Sequence, residues 1–308
     1  MMARFTSRVL QSIVTLFVVV VLSFLLQKAA PGGPFDQERE MPEQTRKALE
    51  HEWHLDESTA TQLGYYLGDL CSWPPDMKHS MSRPDYSVME LIAPRLKVSF
   101  SLGLCVLGFS LSVGLILGVW AATHRNRLID HAVMVVALLG VSIPNFVVGP
   151  IAKWIFALKL DWLPESRWVG PASMILPVLS MAPLYIAIVA RMVRGGLVES
   201  LSRDHIRAAR ARGFSERRLV FKHALPEALL PVVAWLGPAM AGLAVGSVVI
   251  ERVFNIPGLG NTLIDAAFNR DYTMVMGAVI TYSAILIGAN LLSDLLVGYL
   301  DPRTRVAT

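Results

Sequence analysis

The amino-acid sequence predicts an all-α integral membrane protein with six transmembrane helices and both termini in the cytoplasm. Three observations carry that expectation. Of the 308 residues 54% are hydrophobic and only 17% charged, with a mean hydropathy of +0.50. A soluble domain of this length cannot hide so much apolar surface in one core, whereas lipid solvates the outer faces of membrane helices. Six separate stretches reach the ~20 apolar residues that cross ~30 Å of hydrocarbon. Finally, Lys and Arg crowd the segments that would share one side of the membrane.

The six stretches are residues 9–26, 98–122, 132–152, 168–190, 228–250 and 272–293, and none contains Asp, Glu, Lys or Arg. The first is longer than the apolar core of a secretory signal, and Lys28 stands at the −3 position for cleavage after Ala30. It therefore reads as an uncleaved signal anchor.

Orientation follows from basic residues in short loops. With the N-terminus inside, the inner segments hold Arg4, Arg8, Arg125, Arg127, nine Lys/Arg between the fourth and fifth spans, Arg303 and Arg305. The short outer loops hold Lys159, Arg167, Arg252 and Arg270, with Lys153 directly at the outer end of the third stretch.

Residues 31–95 are polar and punctuated by Pro31-Gly32-Gly33-Pro34 and Trp73-Pro74-Pro75. Between those breaks, residues 42–70 carry helix formers and apolar periodicity for one or two short amphipathic helices. The segment is too small for an enzyme domain and reads as a periplasmic cap over the bundle. The expected organisation is a tail and first helix over 1–30, the cap over 31–95, and a five-helix core over 96–308 with a basic loop at about 195–227.

That loop is the informative stretch. Its nine basic residues face only Glu199, Asp204, Glu216 and Glu227. Ser202 is placed to cap a helix with Asp204 in its first turn, running through Ile206-Arg207-Ala208-Ala209-Arg210-Ala211-Arg212 and halting at Gly213. Ser215 is placed to cap a second helix, interrupted at Pro226. Topology alone would explain the arginines. It does not explain the Ala-Ala and Gly spacing, which lets another surface approach the backbone while arginines meet carboxylates or anionic lipid heads.

This stretch resembles the docking loop of ABC-importer permeases, whose general pattern is E-A-A, three residues, G, nine residues, I-x-L-P. Here Arg207-Ala208-Ala209 is followed by three residues and Gly213, and nine more lead to His223-Ala224-Leu225-Pro226. Arg207 replaces the Glu and His223 the Ile. Both departures are similar to the oligopeptide/dipeptide branch. So are Ala30-Pro31-Gly32 with Pro34-Phe35, Asp85-Tyr86-Ser87-Val88, residues 251–260 (E-R-V-F-N-I-P-G-L-G), Asn269-Arg270-Asp271-Tyr272 and Asp301-Pro302-Arg303. Residues 68–81 fit least well.

The resemblance implies a transport subunit of the bacterial inner membrane, not an enzyme, that forms half of a path for oligopeptides or dipeptides. Other solutes of such importers, nickel chelates or glycosides, stay open. It implies as partners a second permease chain in a heterodimer, two cytoplasmic ATPase subunits and an external solute-binding protein. Asp204, Arg207, Ala208, Ala209, Arg210, Gly213, Phe214, Leu225 and Pro226 would dock the ATPase. No cofactor is expected in this chain, since it lacks a G-x-x-x-x-G-K-[ST] loop; ATP and Mg would sit on the ATPase subunits. Movement would follow alternating access, with ATP-driven closure transmitted through 203–226.

Polar groups inside spans are the candidates for a path. Asn145, Ser142, Ser110, Ser112, Asn290 and Tyr282 could line a wet cavity or join helices. Lys153 could face the path or snorkel to headgroups. Pro144, Pro150, Pro177, Pro183, Pro231 and Pro238 are expected to kink helices, and Gly237, Gly242 and Gly246 to allow close packing. Cys71 and Cys105 are placed too differently to pair, there is no CxxC, and the seven histidines are scattered, so no metal site is expected. No basic and aromatic interleaving points to nucleic acid. A secondary transporter would show repeats and mid-span ionisable groups.

Overall fold

A computed structural model describes residues 2–35, 42–73, 75–165 and 168–300, which are helical throughout apart from short connections. Pro74, Arg167 and the Asp301-Pro302-Arg303 motif lie outside the described residues. The elements are α1 (Met2–Ala29), α2 (Glu43–Glu52), α3 (Thr59–Leu70), α4 (Val88–Thr123), α5 (Leu128–Ser142), α6 (Asn145–Ala152) continued by a π-helical turn (Lys153–Lys159), α7 (Ala172–Leu201), α8 (Asp204–Ala211), α9 (Glu216–Arg218) continued by a π turn (Leu219–Ala224), α10 (Leu225–Val253), α11 (Leu259–Phe268) and α12 (Tyr272–Leu300).

Among the described residues five helices are long and apolar enough to cross a membrane, and a sixth crossing arises if α5 with the 145–159 helix counts as one span. That third span corrects the sequence expectation of one kinked helix over 132–152. Its two halves meet at 94°. Pro144 cannot donate a backbone N–H and disfavours helical geometry in the residue before it, and Ile143 is extended at φ −91°, ψ 117°. Elsewhere the helices continue as single elements through Pro94, Pro177, Pro183, Pro231 and Pro238. The fourth span starts at Ala172, after Gly170 with φ +124°, and runs to Leu201.

The chain divides into two compact units. One holds Ser99–Pro257 and the residues from Gly288; the other holds Ala3–Val98 and Gly258–Ile287. In the first, α7 packs against α5, α6 and α10. Val189, Val193 and Val232 form a buried cluster with Leu111, Leu115 and Trp235. Gly114 and Gly118 let α4 and α7 touch backbone to side chain, since a Cβ on either would lie 2.7 Å from Val189 or Val193 Cβ.

In the second unit the 31–95 segment supplies the two expected short helices. Ser58 Oγ accepts from Thr61 N at 3.2 Å and starts α3. Leu63, Tyr66, Leu67 and Leu70 of α3 then pack on Val20 and Phe24 of α1 and on Met276 and Ile280 of α12. Asp271 pins the loop before α4. Its buried carboxylate accepts from Ser80 Oγ, from Met81 N and Ser82 N at 3.2 Å each, and from Met274 N and Thr273 Oγ1 at 3.0 Å each. Much of α1 is exposed and apolar, which is the stable state of a helix whose solvent is lipid.

Candidate functional site

The basic loop folds into a compact elbow. Ile206 and Ala209 give α8 a single apolar edge. Ile206 is fully buried at 0% exposure, in a cluster with Leu197, Leu219, Val220, Ala224, Ala228 and Ala122. At about 25 cal/mol per Å², such burial contributes roughly 1.5–3 kcal/mol. The other edge of α8 stays open, with Arg207, Ala208 and Arg210 exposed and Asp204 3.5 Å from Arg207.

α8 ends in a Schellman turn. Gly213 takes φ +84°, its N–H donates to Arg210 O at 3.0 Å, and Phe214 N–H donates to Ala209 O at 3.3 Å. Phe214 then turns back onto the same cluster as Ala209. Its ring stacks on His223, with centroids 5.8 Å apart, and carries the Arg218 guanidinium 4.6 Å above it. His223 Nε2 is buried and has no hydrogen-bond partner among the described residues.

Charge closes the elbow. Arg210 donates to both Glu216 oxygens, at 2.5 and 3.1 Å. That hydrogen bonding holds the Arg210 pKa above its ordinary value, so the bridge is charged at all physiological pH. At the other end of α8, Arg203 reaches Glu199 at 3.0 Å and Glu227 at 3.2 Å, and Ser200 Oγ donates to Glu227 at 2.8 Å. Residues of α7, α8 and α10 are thereby tied at one point. A deeper bridge stands nearby. Asp130, 1% exposed, receives both Arg194 nitrogens and Asn126 N.

Two local expectations are corrected. Ser202 does not cap α8; its hydroxyl donates to Glu199 O at 2.6 Å, and Arg203 occupies the cap position with extended backbone. Pro226 does not interrupt the second helix. The helix continues from Glu216 to Val253, because the π turn at 219–224 widens the hydrogen-bond ladder just where Pro226 lacks a donor and its ring crowds the preceding turn. Leu225 packs on the Ile206 cluster, and Pro226 is exposed.

Four of the candidate path residues, Ser142, Asn145, Lys153 and Asn290, are not gathered at one place. Ser142 donates to Leu138 O at 2.9 Å beside the α5 break, and Asn145 opens α6. Lys153 donates to Val253 O at 3.4 Å and pairs with Glu165 at 3.4 Å, joining the end of α10 to the loop after the π turn. Asn290 packs against Gly237, where a Cβ would lie 2.5 Å from its Oδ1, and the neighbouring Ser293 Oγ donates to Val233 O at 2.8 Å. Three buried carboxylates lie just outside the charge-free stretches: Asp130, Asp271, and Glu251, which accepts from Ser99 Oγ at 2.6 Å. Cys71 and Cys105 are both free.

A profile of the family described as "Binding-protein-dependent transport system inner membrane component" matches residues 114–306. The chain belongs to this family. It is 40% identical over 292 residues to the dipeptide transport system permease protein DppB of Bacillus subtilis (strain 168), covering 95% of this chain and 94% of that protein. It is 40% identical over 300 residues to the oligopeptide transport system permease protein OppB of Haemophilus influenzae, covering 97% of each, and 39% identical to OppB of Escherichia coli K12 over the same shares. A solved structure titled as inward-facing conformations of the MetNI methionine ABC transporter has the same fold over 70% of this chain and 98% of its own, with a TM-score of 0.58 and 20% identity. As a member of the family, the chain is a multi-pass membrane transport subunit.

Proposed function

We propose that the chain is the peptide-conducting permease subunit of an ATP-driven importer in a bacterial inner membrane. It pairs with a second permease chain, receives oligopeptides or dipeptides from an external solute-binding protein and is driven by two cytoplasmic ATPase subunits, which hold the ATP and Mg. Six spans with both termini inside complete the topology, with 31–95 as the outer cap. End-to-end similarity to dipeptide and oligopeptide permeases supports the cargo class.

The observation that carries the mechanical role is the closed elbow at Gly213. An ATPase surface meeting the exposed Arg207, Ala208 and Arg210 edge would move α8 as a rigid piece. Its buried Ile206 and the Arg203–Glu227 pair then pass that displacement to α7 and α10, which pack on each other. Asp204, Ala209, Phe214, Leu225 and Pro226 act in the same element, some as contacts and some as its buried support. Alternating access follows if α7 and α10 shift together. Lys153 and Asn290 touch a neighbouring helix of the moving bundle, and path-lining is a second role for them and for Ser142 and Asn145.

The test is peptide uptake into vesicles holding this chain with the partner subunits expressed beside it. Gly213→Pro and a bulky replacement of Ala208 should abolish ATP-dependent uptake while the chain still inserts. Undiminished co-purification and uptake in both variants would sink the coupling reading. Uptake of a non-peptide solute with no peptide uptake would sink the cargo.

A further inference from the structure

The outer cap and the end of the first helix enclose a small recess of about 70 Å³, lined by Phe24, Lys28, Trp53, Tyr65, Tyr66 and Tyr272 among others. It is large enough for a small polar group and not for a whole peptide. Most of the polar groups around it are already committed. Lys78 pairs with Asp69 at 2.9 Å, Gln62 donates to Leu55 O and Glu57 O, and Gln27 donates to Tyr272 O. Two groups are not. Tyr66 is 7% exposed, and its buried hydroxyl has no partner among the described residues. Lys28, in the last turn of α1, has no carboxylate partner among them.

A buried hydroxyl without a partner is costly, and an unneutralised ammonium in an aromatic recess is poorly solvated. Both defects are relieved by one anionic oxygen group. The approach to the recess says what else the ligand carries. Val18, Leu22 and Leu25 follow one another at helical spacing on α1 and are 44%, 53% and 44% exposed, and Lys28 continues the row. This leaves an apolar stripe of about 15 Å leading to a cation with no carboxylate partner among the described residues. A peptide would leave such a stripe unused; an acyl chain would cover it. The surrounding Trp53, Tyr65 and Tyr272 are the residue types that settle at headgroup depth.

We infer that this recess is a phospholipid site: the headgroup phosphodiester sits on Lys28 Nζ and Tyr66 Oη, and an acyl chain lies along Val18, Leu22 and Leu25. The lipid then acts as a wedge between α1, α3 and the start of α12. The inference does not depend on what the chain transports.

The test uses the full chain, purified in detergent and delipidated, with bound lipid counted by native mass spectrometry as phosphatidylglycerol is added. Lys28→Gln should weaken the tightest binding event about tenfold, and Tyr66→Phe, which keeps the ring packed on Phe24, by about three- to tenfold. Trp73→Phe, on an exposed part of the same cap, should change nothing. Soluble glycerophosphate, which lacks the acyl chain, should not displace the lipid. Binding unchanged by both Lys28→Gln and Tyr66→Phe overturns the site. Displacement of the lipid by glycerophosphate or by a tripeptide, with the same Lys28 dependence, overturns its lipid character in favour of a free anion or of cargo.

Discussion

Arg210 and Glu216 face each other across Gly213, with the guanidinium bound to both carboxylate oxygens at 2.5 and 3.1 Å. Their pairing closes the one place where the loop backbone turns left-handed, and it fixes the angle between α8 and the start of the fifth-span helix. Both side chains are well exposed, so a double-mutant cycle between Arg210→Ala and Glu216→Ala should give only about 0.2–1 kcal/mol of coupling in stability. ATP-dependent uptake should fall more than stability does, and charge reversal of both residues together should restore part of it. Equal losses of stability and uptake would show the pair to be a simple structural support.

Gly213 tests the turn itself. Its φ of +84° costs an L-residue about 1–2 kcal/mol, yet a Cβ there meets no atom within 4 Å. Gly213→Ala should therefore lower thermal stability slightly and retain partial uptake. Gly213→Pro, locked near φ −65°, should lose uptake altogether. Identical uptake in the two variants would contradict this account.

The Asp130–Arg194 bridge predicts a larger effect. Asp130 is buried, and removing one partner of such a pair typically costs about 3–5 kcal/mol. Asp130→Ala should be strongly destabilised in an unfolding assay in detergent. The double replacement Asp130→Leu with Arg194→Met should recover much of that loss.

Asp271 accepts hydrogen bonds from three backbone amides and two hydroxyls. Asp271→Asn points a donor at some of those donors. It should cost about 1–3 kcal/mol and raise hydrogen exchange selectively over residues 78–88, as read by mass spectrometry. Exchange raised uniformly along the chain would show a global rather than a local effect.

The cap carries a pH-dependent contact. The His51 pKa is raised from 6.5, first by its hydrogen bond to Asp56 and then by that carboxylate's charge. The Asp56 pKa is lowered from 3.8 by the same hydrogen bond. His51 contributes fully below pH 6.5 and loses its contribution as pH rises through the higher folded value. Asp56 contributes above pH 3.8 and loses it as pH falls through the lower one. Protection factors over α2 should be greatest between those two values, and His51→Gln should flatten the profile.

Much of this was legible in the sequence, for identifiable reasons. Hydropathy locates the long helices because lipid exposure demands uninterrupted apolar residues, and Gly213 announces the end of α8 because few residues turn left-handed. Pro226 misled because a π turn absorbs a proline without breaking the helix, and nothing local signals that turn. Ser202 misled because its hydroxyl had a nearer carbonyl to serve. Asp130 stood two residues outside a charge-free stretch, and its partner is 64 residues away, a distance no periodicity reports. The scatter of Ser142, Asn145, Lys153 and Asn290 has the same cause: a polar residue in a span reads alike whether it faces water or a neighbouring helix.

The open space beside Gly213 separates two demands that glycine usually satisfies together. Since no atom crowds the position, the elbow requires mirror-image backbone geometry and not the absence of a side chain. A D-alanine introduced by semisynthesis would rest in that geometry without strain, and it would stiffen the elbow where glycine leaves it loose. The elbow is thus selected by chirality. The only achiral residue in the genetic code holds the position, and its looseness comes with it.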